Sequence, residues 1–146
     1  VSRDEILTLK PGTKLNLLIA TKVLSWTIWE EKRGDYLYVI FQKPNDREPW
    51  RAFRNPEIMK ERYRQIEASE IDEMKHIVHG LKDWSRSIED AMKLFDRFYP
   101  TNLQHYSGIG DETVYKATIE YDWVVADTAS GAICKAVLLY MERGDS

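Results

Sequence analysis

Apolar and polar positions along this chain follow two rhythms, one of three to four residues and one of two, and each rhythm marks an element. Leu15, Leu18, Ile19 and Val23 recur at helical spacing after Pro11-Gly12, with Thr13 as the expected cap. A short helix precedes them, opened by Ser2-x-x-Glu5, a pairing in which each side chain satisfies the other's free backbone N–H. Ile88, Ala91, Met92, Phe95 and Phe98 repeat the helical pattern behind Ser87, and Pro100 stops it. A last helix is expected from about Asp127-Thr128 to Glu142, with Ala129, Ala132, Ile133, Ala136, Val137 and Tyr140 as its buried stripe. Cys134, Leu138 and Met141 widen that stripe, so the helix is buried on more than one side.

The two-residue rhythm predicts strands at Trp26 to Glu30 and Tyr36 to Gln42, joined through Glu31 to Asp35 as a hairpin. A second hairpin is expected from Asn102 to Ser107 and Glu112 to Asp122, turning at Gly108 to Asp111. Its second strand alternates Tyr115, Ala117, Ile119 and Tyr121 with Lys116, Thr118 and Glu120, the mark of a half-buried antiparallel strand. Residues 43 to 56 hold three prolines and read as a loop. Residues 57 to 82 read as a long helix, in one piece or two, with Met59, Tyr63, Ile66, Ile71, Met74, Val78 and Leu81 on one side. The expected fold is α+β: one antiparallel sheet of about four strands from the two hairpins, sandwiched between helices, in a single domain over 1–146 with a helical insertion at about 57–82.

The 146 residues are the usual size of one domain, and 43% hydrophobic with 31% charged is ordinary for a folded protein. A net charge of −3 argues against wholesale wrapping of nucleic acid, though not against a local basic patch. No run approaches the ~20 apolar residues of a membrane span, and the charged first residues lack the layout of a secretory signal. Cys134 is the single cysteine, so no internal disulfide forms, and a cytoplasmic setting is the expectation.

Three stretches resemble a known family. The first is Leu9-Lys10-Pro11-Gly12 with Leu15, Ala20, Lys22-Val23 and Trp26. The second is Trp84-Ser85 with Ile88 and Ala91, where Arg86-Ser87 replaces the family's Thr-Asp. The third and most specific is Ala126-Asp127-Thr128-Ala129-Ser130-Gly131-Ala132-Ile133-Cys134-Lys135-Ala136. Together they are similar to the phage ABA sandwich domain family. The resemblance implies a sheet between helical layers and a phage or prophage origin, hence the host cytoplasm. It transfers no catalytic residue. Physically, Asp127 or Thr128 is placed to cap the closing helix, and Ala129, Gly131, Ala132 and Ala136 let it approach a sheet closely. Cys134 then behaves as a small apolar residue.

No Gly-x-Ser-x-Gly, Walker A or His-Glu-x-x-His motif occurs, so the expectation is no enzyme, no cofactor and no catalytic or metal site. Gly108-Ile109-Gly110 lacks the third glycine of a dinucleotide fingerprint and reads as a turn. Glu73, His76 and His79 would share a face of the expected helix, but a di-metal site needs the Glu-x-x-His pair on two helices and only one copy occurs, so a solvated helix face is the expectation. Residues 43 to 64 hold seven bases against four acids, interleaved with Trp50, Phe53 and Tyr63. Trp50, Arg51, Arg54 and Arg62 are the candidate ligand-binding residues, for a nucleotide or nucleic acid, because arginine grips phosphate and aromatic faces stack on bases. The alternative is that Trp50 and Phe53 tuck into the core while the charges face water. If the 57–82 helix projects, its apolar side needs a partner, and a homo-oligomer is the simplest one. The leading functional expectation is a non-enzymatic phage accessory protein, a small oligomeric binding or interaction protein.

Overall fold

The computed structural model describes residues 2–107 and 113–144. The chain divides into two compact units. One comprises Val1–Ile19 with Lys82–Ser146, and the other is the continuous span Ala20–Leu81. The class is α+β, with antiparallel pairing predominant. The two expected hairpins do not share a sheet. Each seeds a sheet of its own, one per unit, because each finds its further strands in different stretches of chain.

In the first unit, α1 (Arg3–Thr8) is capped by Ser2, whose Oγ accepts from the Glu5 N–H at 3.2 Å. α2 (Thr13–Leu18) takes Gly12 rather than Thr13 as its N-cap; Gly12 sits at φ 154°, in the region that favours glycine. Both short helices bury one side, Ile6 in α1 and Leu15 with Leu17 in α2. The chain returns at Lys82 and forms α4 (Ile88–Phe95), whose cap Ser87 accepts from the Asp90 N–H as expected.

The strands β5 (Thr101–Ser107), β6 (Thr113–Ile119) and β7 (Asp122–Ala126) follow in an antiparallel sheet of order β5-β6-β7. β7 was not expected; the anticipated Glu112-to-Asp122 strand ends at Ile119, and the chain reverses to add a third strand. The turn expected at Gly108 to Asp111 lies outside the described residues. α5 (Ala129–Gly144) lies on β6 and β7. Ala132, Ile133, Cys134, Val137 and Leu138 are buried there, opposite Ala117, Ile119 and Val124.

In the second unit, β1 (Thr27–Arg33) and β2 (Tyr36–Gln42) form the first hairpin. Arg33 pairs with Tyr36, so the turn is the two residues Gly34 and Asp35, and β1 extends three residues past the expected Glu30. Gly34, at φ 58°, supplies the left-handed conformation the tight turn needs. The long helix expected at 57–82 is not formed. The segment contains one short helix, α3 (Pro56–Lys60), then β3 (Tyr63–Ile66), a 3-10 turn at Ala68–Glu70, and β4 (His76–Val78). The segment supplies both edges of a sheet ordered β3-β1-β2-β4. β3 runs antiparallel to β1, with Ile66 opposite Ile28, and β4 parallel to β2, with Val78 opposite Val39. Ile66 is buried in this sheet, while Met74, placed on the expected apolar stripe, is 93% exposed. Non-local pairing here overrides a local pattern that two structures fit equally well.

Candidate functional site

Of the three stretches that carry the family resemblance, the Pro11-Gly12 turn, the Trp84-Ser85 segment and the Asp127-Thr128 helix start lie in the first unit, while Ala20 to Trp26 belong to the second. Ser85 Oγ accepts from the Gly12 N–H at 2.8 Å. Asn16, itself buried, donates from Nδ2 to Asp83 Oδ1 at 2.8 Å and accepts from the Ser85 N–H at 2.9 Å. Arg86 donates to the Pro11 carbonyl at 3.4 Å. At the start of α5, Thr128 Oγ1 accepts from the Gly131 N–H at 3.0 Å. A Cβ on Gly131 would fall 2.8 Å from that oxygen and 3.7 Å from Pro11, so glycine here allows the helix, its cap and the Pro11 turn to meet. These motifs hold the unit together. Cys134, on the buried side of α5, has its thiol pushed up to about 12 by burial and by the charge of Asp83, and is inert at neutral pH.

The candidates in residues 43–64 lie in the second unit and separate in the structure. Trp50, in a 3-10 turn at Pro49–Ala52, is only 7% exposed. Its ring meets Trp29 edge-on at 4.9 Å and Tyr63 at 5.8 Å, and Lys60 lies over it at 5.8 Å. Arg51 is tied to Glu48 at 2.5 Å. Arg54 and Arg62 are exposed, and Phe53 beside Arg54 is 41% exposed. The structure thus draws Trp50 into the sheet packing and leaves Arg54 and Arg62 on the surface.

The histidine spacing loses its helix. His76 opens β4 and is buried; its Nδ1 accepts from the Asp72 N–H at 3.0 Å, which leaves the proton on Nε2 to be donated to Glu30 Oε2 at 2.8 Å. Arg64 reaches Glu30 at 3.4 Å and Glu70 at 3.2 Å. Among the described residues no group of three or more His, Cys, Asp or Glu is placed to hold a metal ion. On the opposite face of the same sheet, Glu31 is 1% exposed. It accepts from Arg33 Nε at 2.5 and 2.8 Å and from Tyr63 Oη at 3.1 Å. Burial first, then this donated hydrogen bond, pushes the Tyr63 phenol up to about 12. A buried carboxylate met by a guanidinium and a phenol is a satisfied structural group. Sequence reading missed it because Glu31 stands beside the turn and looks solvated.

One face of the three-stranded sheet is open and carries large apolar side chains. α5 covers the face of Ala117, Ile119 and Val124. Antiparallel register places Trp123 opposite Thr118 and Asn102, Val125 opposite Lys116 and Gln104, and Tyr106 opposite Val114, all on the other face. Trp123 is 55% exposed, and Val125 and Tyr106 are each 44% exposed. Lys116 lies 4.8 Å from the centre of the Trp123 ring, a cation over an aromatic face. Beside Trp123, a cleft of about 480 Å³ opens between the start of β7 and the end of α5. Val124 and Leu139 form part of its apolar wall, and Arg3 and the ion-paired Arg143 and Asp122 part of its charged rim. Its size is that of a small-molecule pocket.

The architecture defines a two-unit α+β protein in which one sheet face exposes Trp123 and Tyr106. The model of the phage ABA sandwich domain matches residues 17–138, and the chain belongs to that family. It is therefore a phage-type protein, and the match spans all of the second unit and part of the first. No curated protein and no solved structure matches the chain. Among the described residues no helix is long and apolar enough to cross a membrane.

Proposed function

We propose that this chain is a non-catalytic phage accessory protein that works by binding, as a homo-oligomer in the host cytoplasm, through the open face of its three-stranded sheet. The observation that carries the reading is Trp123. A large aromatic costs free energy when hydrated, and this one shares a face with Val125 and Tyr106. Aromatic anchors of this kind dominate the energetics of protein interfaces. The groups that chemistry would need are engaged elsewhere: His76 with Glu30, Glu31 with Arg33 and Tyr63, and Cys134 as a buried thiol. A protein partner recovered from infected cells and then purified is the test. The partner should shield Trp123 from acrylamide quenching and lose at least about tenfold in affinity for Trp123→Ala. Equal binding by Trp123→Ala would end this reading.

A second reading, binding of nucleotide or nucleic acid by residues 43–64, draws support from Arg54 and Arg62. Both are exposed, and among the described residues neither guanidinium makes a side-chain hydrogen bond or an ion pair, although the Arg62 backbone pairs with Lys32 and Met59. Trp50 is not available to stack, so Phe53 would take its place. Polarisation titrations with labelled oligonucleotides and nucleotides at low salt test it. Binding unchanged in Arg54→Ala/Arg62→Ala would remove it.

A further inference from the structure

Each β-sheet ends in two edge strands whose outward N–H and C=O groups have no strand to pair with. Proteins guard such edges by keeping them short, charged or proline-bearing, or by covering them. In the four-stranded sheet the edges are β3 and β4, four and three residues long, and β3 carries Arg64. In the three-stranded sheet, β7 has five residues and opens with Asp122, paired to Arg143 beside the cleft that Arg3 also lines. β5 has none of these guards. It runs seven residues, Thr101–Ser107, without Asp, Glu, Lys, Arg or Pro. Asn102 and all of Gln104 to Ser107 are exposed, and β6 is the strand that pairs with it.

We propose that β5 of one copy pairs antiparallel with β5 of a second copy across a two-fold axis at Gln104, joining two three-stranded sheets into one of six strands. This rests on the oligomeric reading above and names its surface. A two-fold axis sets the residue at its centre against itself, so a charge there would face a like charge. β4 is also free of formal charge but is three residues long; β5 is a long neutral edge, which is the electrostatic complement that a second copy requires. About Gln104 the remaining pairs are Leu103 with His105, Asn102 with Tyr106 and Thr101 with Ser107, and none opposes like charges. Asn102, Gln104 and Tyr106 share the open face with Trp123 and Val125 through β6. Pairing at β5 therefore continues that face from one copy into the next and presents two Trp123 side chains on one surface.

Sedimentation velocity on the whole chain tests the pairing. The wild type should sediment as a dimer. Gln104→Lys and Gln104→Glu, both at an exposed position and each checked for folding by circular dichroism, should each weaken the dimer by about tenfold or more. An equimolar mixture of the two should recover the dimer, since opposite charges then meet at the axis. Gln104→Cys should form an intermolecular disulfide under mild oxidation, as directly opposed Cα atoms lie within disulfide reach. Tyr36→Cys, exposed in the other unit, should not. A wild-type monomer overturns the proposal, as does a dimer indifferent to both charge variants. Either result leaves the Trp123 binding test standing. A dimer disrupted as described, with Trp123→Ala binding normally, removes the face-binding reading alone.

Discussion

His76 donates from Nε2 to Glu30 at 2.8 Å, between residues that sequence separates by 46 positions. β2 lies between their strands in the sheet, and parallel pairing of β4 with β2 sets His76 on the Glu30 face. The histidine is buried and its other nitrogen accepts from the Asp72 N–H, so both ring nitrogens are committed. His76→Ala should destabilise the protein by about 1.5–3 kcal/mol, the range for a buried hydrogen bond to a charged group. Urea unfolding would measure it, and loss below 0.5 kcal/mol, roughly a surface effect, would show the pair to be incidental.

Asn16 links α2 to the Asp83–Ser85 turn through two hydrogen bonds from one buried amide. Asn16→Asp would replace the donor to Asp83 with a second carboxylate. A loss of about 3 kcal/mol or more is expected near neutral pH, as for a broken buried network. Protonation should restore part of it, so the deficit should narrow as pH is lowered toward the carboxylate range. A deficit independent of pH would argue against the like-charge account.

Cys134 and Tyr63 are neutral acids whose folded values are raised to about 12, from ordinary values of 9.0 and 10.0. Below those ordinary values both states hold the protons and the contribution to stability is complete. As pH rises past them, the unfolded chain releases protons that the folded chain retains, so stability should fall between about 9 and 12. Cys134→Ala should flatten the lower part of that fall, followed by thermal melts across the alkaline range. The native thiol should also resist a disulfide reagent at pH 8 and react once in denaturant. Rapid reaction in the native state would place Cys134 at the surface.

Trp50 and Trp123 separate packing from recognition. Trp50→Ala removes a ring held against Trp29 and Tyr63 and should cost about 3–5 kcal/mol. Trp123→Ala on the open face should change stability by about 0.5 kcal/mol or less. Guanidinium unfolding of the two variants compares them directly. Similar losses would mean that Trp123 is a packing residue and would remove the motive for face binding.

The helices other than 57–82 were legible because their information is local. Ser2 and Ser87 cap where their spacing places them, and the stripe of α5 is as dry as its composition required. The first hairpin was legible because Gly34-Asp35 interrupts alternating strands. The 57–82 segment was misread for a physical reason. No glycine or proline interrupts residues 57–79, so local propensity has nothing to veto a helix. Its apolar residues at Tyr63 and Ile66 fit a helical face as well as two ends of a short strand. What decides between them is β1, whose Ile28 and Glu31 stand opposite Ile66 and Tyr63.

The candidate site was legible only in part. Trp50 among basic residues looked like a binding motif, and its packing was one of two readings the string allowed. Trp123 was passed over because β7 was not expected, and without that strand no face exists for it to occupy.

Sequence alone determined the α+β class, the capped helices, the dry closing helix and membership in the phage ABA sandwich family, since each depends on contacts near in sequence or on motif identity. Tertiary structure decided that the two hairpins build separate sheets, that His76 meets Glu30, and which aromatics face water. Those outcomes depend on strand partners drawn from distant stretches of chain, and the free energy of pairing resides in the register between strands, which no local pattern encodes.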